Sequence, residues 1–209
     1  LDNRLFFPAT ARNREAIGKV LSRILLKGGY VLEVGSGSGE HGVVFQKSFP
    51  EVTWQSSDPE LSHRKSISSW IDHEELNFTM PQPLNIHVEK TPWDIPSELL
   101  TSLQGIISIN MIHVATWNCT KSLLKESGKL LKKGQFLMLY GPFKIGNKHI
   151  SPSNDLFDSS LKMQNKYWGV RDLEKVNEEA SNNGFIKEDL IYMPSNNLSV
   201  IYRKVCLKN

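Results

Sequence analysis

The residues best able to do chemistry gather in one short stretch, Val31-Leu32-Glu33-Val34-Gly35-Ser36-Gly37-Ser38-Gly39-Glu40-His41-Gly42. Glycines alternate at Gly35, Gly37 and Gly39 directly after an apolar run, and Glu33 stands just before the first of them. A backbone without Cβ atoms turns tightly and comes close to a ligand. Its N–H groups, around Ser36 and at the start of the helix that carries His41, suit an anionic group such as a carboxylate, while Glu33 suits a cation. The run Gly37 to Gly42 also satisfies the dinucleotide pattern G-x-G-x-x-G. Asp58, followed by Pro59, stands 58 − 37 = 21 residues beyond Gly37, where an acid that holds a ribose diol is expected. Asp is also a favoured helix cap, and the two roles are compatible. Charge separates the ligand classes: a pyrophosphate here would face Glu33 and Glu40, a repulsion of roughly 1 kcal/mol or more.

Elements that would position these groups follow from periodicity. Ala16, Ile17, Val20, Leu21, Ile24 and Leu25 recur at helical spacing after Thr10, a candidate N-cap, and stop at Gly28-Gly29. Strands are expected at 30–34, 52–57, 84–88, 106–111, 135–140, 185–192 and 198–204, and helices at 41–49, 61–71, 97–103, 115–131 and 171–183. Alternation of this kind implies an α/β, Rossmann-like fold with a mostly parallel sheet of seven strands covered by helices on both faces. The last two strands, joined by Pro194-Ser195-Asn196-Asn197, are too close in sequence to be parallel and form a C-terminal antiparallel hairpin. Residues 141–170 read as an irregular insertion, long enough to cover a site.

At 209 residues, 39% hydrophobic and 22% charged, the chain fits one domain, 1–209, with residues 1–29 as a helical cover. Its apolar runs are far shorter than a membrane span of roughly 20 residues, and a cytoplasmic location is the default expectation. Cys119 and Cys206 have no metal-ligand or disulfide spacing, and no metal site is expected. The net charge of +3 is mild, and Lys129, Lys132 and Lys133 belong to a helix end near Gly134, so no clear nucleic-acid signal is present. Oligomeric state is not legible.

The loop resembles the first motif of class I S-adenosylmethionine-dependent methyltransferases. Agreement continues along the chain: Ala11-Arg12-Asn13, Trp54-Gln55 with Ser57-Asp58, Ile109-Asn110-Met111, His113-Val114, Tyr140-Gly141-Pro142, Ser151-Pro152, Phe157-Asp158, Trp168-Gly169 and Arg171-Asp172. In that order they are similar to a family of methyltransferase-like proteins, called methyltransferase-like protein 26 in animals and carried as a domain of unknown function in bacteria. The resemblance implies S-adenosylmethionine as cofactor and does not identify the acceptor; with no lysine-rich tail or RNA module in the sequence, a small-molecule acceptor is expected. Arg12 and Asn13 would fold over the cofactor carboxylate; Glu33, Gly35, Ser36, Gly37, Gly39 and His41 would hold the amino-acid portion; Asp58 and Pro59 would take the ribose. Family members usually place an acid where this chain has His87, beside Val88, and His87 would accept the adenine amino group instead. Asn110, Met111, His113 and Tyr140 would face the methyl group and its acceptor, His113 as a candidate base and an equal candidate for a packed core histidine. Asn154, Asp158, Trp168 and Arg171 would line the substrate cover. An NAD-type oxidoreductase and a catalytically silent cofactor-binding protein stand as alternatives.

Overall fold

The computed structural model describes residues 2–205, in two compact units that divide between Ile107 and Ser108; Cys206 lies outside the described residues. The first unit opens with α1 (Pro8–Ile24), β1 (Tyr30–Val34), α2 (Glu40–Ser48), β2 (Thr53–Ser57), α3 (Leu61–His73) and α4 (Ser97–Ser102). It closes on β3 (Leu103–Ile109), whose last residues enter the second unit. Helix α1 begins at Pro8, because proline at the first helical position loses no hydrogen bond. The expected cap, Thr10, is instead buried inside the first turn.

Strand β1 lies between β2 and β3 and is parallel to both, with Val31 opposite Trp54 on one side and Gly105 on the other. Val31, Leu32 and Val34 are fully enclosed, as befits a parallel strand with both faces covered. The carboxyl ends of β1 and β2 therefore share one edge, which carries the glycine loop and Asp58. The strand expected at 84–88 is reduced to a single bridge between Ser57 and Leu84. Leu84 gives its N–H to Ser56 and accepts from the N–H of Asp58, and beyond it the chain turns away, the Lys90 N–H donating to His87 O at 2.9 Å.

In the second unit, α5 (Trp117–Leu130) precedes β4 (Phe136–Gly141), and α7 (Leu173–Asn182) precedes β8 (Phe185–Met193) and β9 (Asn197–Lys204). Strand β9 runs antiparallel to both β4 and β8, and a 3-10 turn over Pro194–Asn196 joins β8 to β9. Strand directions are thus mixed, and the expected count of seven in the sheet is not reached, because residues 84–88 contribute only a single bridge. Residues 141–170 are not irregular either. They contain β5 (Phe143–Ile145), β6 (Lys148–His149) and α6 (Pro152–Gln164), and β5 pairs with both β6 and β7 (Arg171–Asp172). The Ser151 hydroxyl accepts the N–H of Asn154 at 3.2 Å, and Pro152 opens the helix; Ser-Pro before a helical run is a start signal.

Candidate functional site

The glycine loop between β1 and α2 is built by left-handed backbone at Gly35 (φ +75°), Gly37 (φ +57°) and Gly39 (φ +86°). Its amides are turned back onto the end of β2. The Gly35 and Ser36 N–H groups both donate to Ser57 O, at 3.0 and 2.9 Å, and the Gly37 N–H donates to Asp58 Oδ2 at 2.9 Å. The glycines serve packing as well as turning. A Cβ on Gly39 would stand 2.8 Å from the Ile67 Cα, so its absence lets the start of α2 pack against α3. A Cβ on Gly42 would fall 2.6 Å from Ser56 Oγ.

Asp58 is 4% exposed. Besides Gly37 it accepts, through Oδ1, the Glu60 N–H at 2.9 Å and His63 Nδ1 at 3.0 Å. The N-cap of α3 is Glu60, with no side-chain cap bond, so Asp58 braces the turn before the helix from the strand edge and is not its cap. Glu33 is 1% exposed, facing away from bulk water, and accepts from Trp54 Nε1 at 3.0 Å and from Ser56 Oγ at 3.4 Å. Burial pushes its carboxyl up to about 7, because removing water penalises the ionised form more than these donors favour it. The buried side chains of Asn13 and His41 meet each other, His41 Nε2 lying 2.7 Å from Asn13 Oδ1. Burial, with the Arg14 charge added, pushes His41 down to about 4, so the ring is neutral and Nε2–H donates to the amide oxygen. His41 Nε2 and Asn13 Oδ1 are thus committed to one another. Arg12 and His87 are exposed, and Pro59 is half-buried. Val88 is buried and its carbonyl accepts Trp93 Nε1 at 3.1 Å, which makes Trp93 a packing residue.

Within the second unit, Asn110 follows β3 in left-handed conformation (φ +55°) and donates its N–H to Tyr140 O at 2.8 Å. His113 is 3% exposed and packs edge-on against Phe157, with ring centroids 5.5 Å apart. A Cβ on Gly141 would meet the His113 ring at 3.1 Å and Asn110 Oδ1 at 3.5 Å, which brings these three residues together. His113 Nδ1 is buried with no hydrogen-bond partner among the described residues. Burial and the Arg171 charge push His113 down to about 4, leaving a neutral ring that is a weak base. Tyr140 is buried, and Met111 half-buried with its sulfur 3.7 Å from Cys119 Sγ.

The residues expected to meet a substrate have partners of their own. Arg171 donates to Ile112 O at 2.9 Å, to Tyr167 O at 3.1 Å and to Ala115 O. Asp158 accepts from Val170 N at 2.7 Å and Lys162 Nζ at 2.6 Å. The Asn154 amide donates to Asn196 O at 2.9 Å. Each pins backbone, which a surface reading of polar residue types does not reveal. Trp168 remains half-buried. The contributors that the sequence did not single out are Ser56, His63 and Ser66; Trp54 and Ser57 entered only as family matches.

The model of the DUF938 family, described as a protein of unknown function, matches residues 4–204. The chain belongs to that family. Solved methyltransferases are among the structures that this DUF938 member resembles. An O-methyltransferase family protein from Burkholderia thailandensis superposes with a TM-score of 0.79 at 11% identity, over 96% of this chain and 58% of that one. An O-methyltransferase family 2 protein from Planctomyces limnophilus, in complex with apigenin, gives 0.75 at 14% identity, over 94% of this chain and 60% of that one. Human N-acetylserotonin methyltransferase in complex with SAM gives 0.71 at 14%, over 95% and 53%. The chain spans little more than half the length of these proteins. Such likeness establishes the methyltransferase fold, α/β with mixed strand directions. No helix among the described residues is long and apolar enough to cross a membrane, and none of their side chains form a group of three that could hold a metal ion.

Proposed function

We propose that the chain is an S-adenosylmethionine-dependent methyltransferase acting on a small-molecule acceptor. The observation that carries this reading is the glycine loop at the carboxyl edge of β1 and β2, tied to Asp58 and backed by the carboxyl of Glu33. Ligands of open α/β sheets bind at this edge. Gly35 is half-buried, with positive φ and no Cβ, so a ligand can come close to its backbone, while the amides of Gly35, Ser36 and Gly37 are taken by Ser57 O and Asp58. A carboxylate offers about four lone-pair positions, so Asp58 keeps room for a ribose hydroxyl beside its three donors. Glu33, its carboxyl raised to about 7 by burial, would ionise toward an ammonium group, through water or after rearrangement of its bonds.

Around that loop, Ser36 and Gly37 would shape the methionine seat. Arg12, exposed at the start of α1, would reach the carboxylate with its forked guanidinium. Pro59 would border the ribose, and His87 would accept the adenine amino group next to Val88. The cofactor supplies a methyl carbon already activated by positive sulfur. What remains for the chain is to hold donor and acceptor in line and exclude water. We assign acceptor contact to Asn110, Met111 and Tyr140. His113, neutral and weakly basic, would orient the acceptor through its unpartnered Nδ1 more effectively than it would remove a proton. Trp168 is the remaining candidate for apolar contact with the substrate. Kinship with methyltransferase-like protein 26 is part of the same proposal.

Titration calorimetry with S-adenosylhomocysteine and with NAD tests the assignment. The proposal expects the first to bind and the second not; the reverse would favour the oxidoreductase alternative. Binding without methyl transfer to any of a panel of phenols, amines and thiols would favour a silent cofactor-binding protein.

A further inference from the structure

Residues preceding α1 are fastened to the glycine loop rather than trailing from it. The Leu5 N–H donates to Ser66 Oγ at 2.8 Å, and the same hydroxyl donates to Ser38 O within the loop at 2.6 Å. Ser66 is fully buried, and one hydroxyl can accept and donate at once. The Leu5 carbonyl accepts Trp70 Nε1 at 3.1 Å. Phe6 packs edge-on against the Trp70 ring at 5.2 Å, with the Arg4 guanidinium 4.9 Å from that ring's centroid. Beyond Phe7 the chain enters α1 at Pro8. The backbone of Phe7 is therefore held on both sides, by the Leu5 bonds and by the helix.

That anchoring delivers the Phe7 ring onto the loop. A Cβ on Gly37 would come within 2.9 Å of it, so Gly37 lacks a side chain at the point where the ring lies. The ring also meets His63 edge-on, at 5.8 Å and 81°, and His63 is the residue bonded to Asp58. Phe7, His63, Asp58 and Gly37 form one contiguous surface, and Phe7 keeps 40% of its area exposed.

Resting on the methyltransferase reading, we infer that Phe7 and His63 form a fixed aromatic wall for the adenosine portion of the cofactor. The ribose on Asp58 brings the adenosine alongside this surface, whereas the methionine portion belongs to the Glu33 side of the loop. Phe7 offers its face to adenosine, and His63 holds the Asp58 carboxylate in place; Phe7 is a binding residue and His63 a positioning one.

The test is calorimetric titration of S-adenosylhomocysteine and 5′-methylthioadenosine into wild type, Phe7→Leu and Phe7→Tyr, with thermal unfolding of each. Loss of the ring face is expected to weaken both ligands about tenfold in Phe7→Leu. Phe7→Tyr, which keeps the ring, should stay within about twofold of wild type. Equal loss for the two ligands places the contact on adenosine, because 5′-methylthioadenosine lacks the amino-acid portion. On wild type itself, a nuclear Overhauser effect between Phe7 ring protons and adenosine protons is expected in the saturated complex. Unchanged affinity of Phe7→Leu, or absence of that contact, overturns the wall and leaves the cofactor assignment standing. Failure of wild type to bind either ligand overturns both.

Discussion

Asp58 Oδ2 accepts the Gly37 N–H at 2.9 Å, across 21 residues of chain. This bond joins the end of β2 to the middle of the glycine loop, and the same carboxylate holds the Glu60 N–H and His63 Nδ1. Asp58 is thus both a strut of the loop and the proposed ribose ligand.

Both roles fail together in Asp58→Ala. Two backbone N–H groups lose their acceptor, and a buried donor without a partner costs about 1–3 kcal/mol. A lower unfolding temperature is expected, together with at least a roughly tenfold weaker affinity for S-adenosylhomocysteine. Thermal unfolding and calorimetry measure the two separately; an unchanged affinity would remove Asp58 from the site.

Glu33 gives the site a pH dependence. Its folded value of about 7 stands above the ordinary 4.5, so the stability its neutral form supports is fully present below about 4.5 and is lost as pH rises through 7. Glu33→Gln removes that loss. Relative to wild type it should gain on the order of a few kcal/mol at pH 8 compared with pH 4. If an ammonium group binds near Glu33 and ionises it, S-adenosylhomocysteine binding releases a proton near pH 7, and affinity rises from pH 5 to pH 8. Calorimetry in buffers of different ionisation enthalpy reads the proton directly, and zero release at pH 6 to 7 contradicts this account of Glu33.

Gly39→Ala tests the structural side of the loop. The new Cβ would sit 2.8 Å from the Ile67 Cα, at a residue with φ +86°. Backbone cannot yield as a side-chain tip can, and an alanine in that conformation is strained by about 1 kcal/mol or more before the clash is counted. Denaturant unfolding should show a loss above about 2 kcal/mol. A loss under half that size would mean that α2 and α3 can separate freely.

Acid should weaken the second unit through His113. Its folded value of about 4 lies below the ordinary 6.5, so between these values the unfolded chain binds the extra proton and stability falls as pH drops. The stability difference between wild type and His113→Gln should shrink or reverse as pH falls from 7 to 4. Denaturant midpoints across that range check it; a difference independent of pH would show that His113 is not held neutral.

Much of the first unit is legible from residue spacing. The alternating glycines and the acid at position 58 identify loop and strand edge, because both signals are local and tied to backbone geometry. Glu33 is different. Its burial comes from Trp54 and Ser56, supplied by the parallel register that sets Glu33 opposite Ser56, and no local pattern announces that pairing. The bond between Asn13 and His41 likewise depends on how α1 meets α2. Helix α6 lies where an irregular segment was expected, because the many polar residues around Ser151-Pro152 hide its start signal, and the strand expected from Leu84 ends in the turn that the Lys90 N–H closes on His87 O. Arg171, Asp158 and Asn154 look like ligand contacts in sequence because polar residues that hold backbone and those that hold substrate have the same composition.

The central claim is that the loop held by Asp58 receives S-adenosylmethionine. Titration of S-adenosylhomocysteine into the purified protein, with NAD as the control, is its most direct test. The account predicts saturable binding with 1:1 stoichiometry, weakened at least about tenfold by Asp58→Ala, and no heat from NAD. Saturable NAD binding with none for S-adenosylhomocysteine would contradict it.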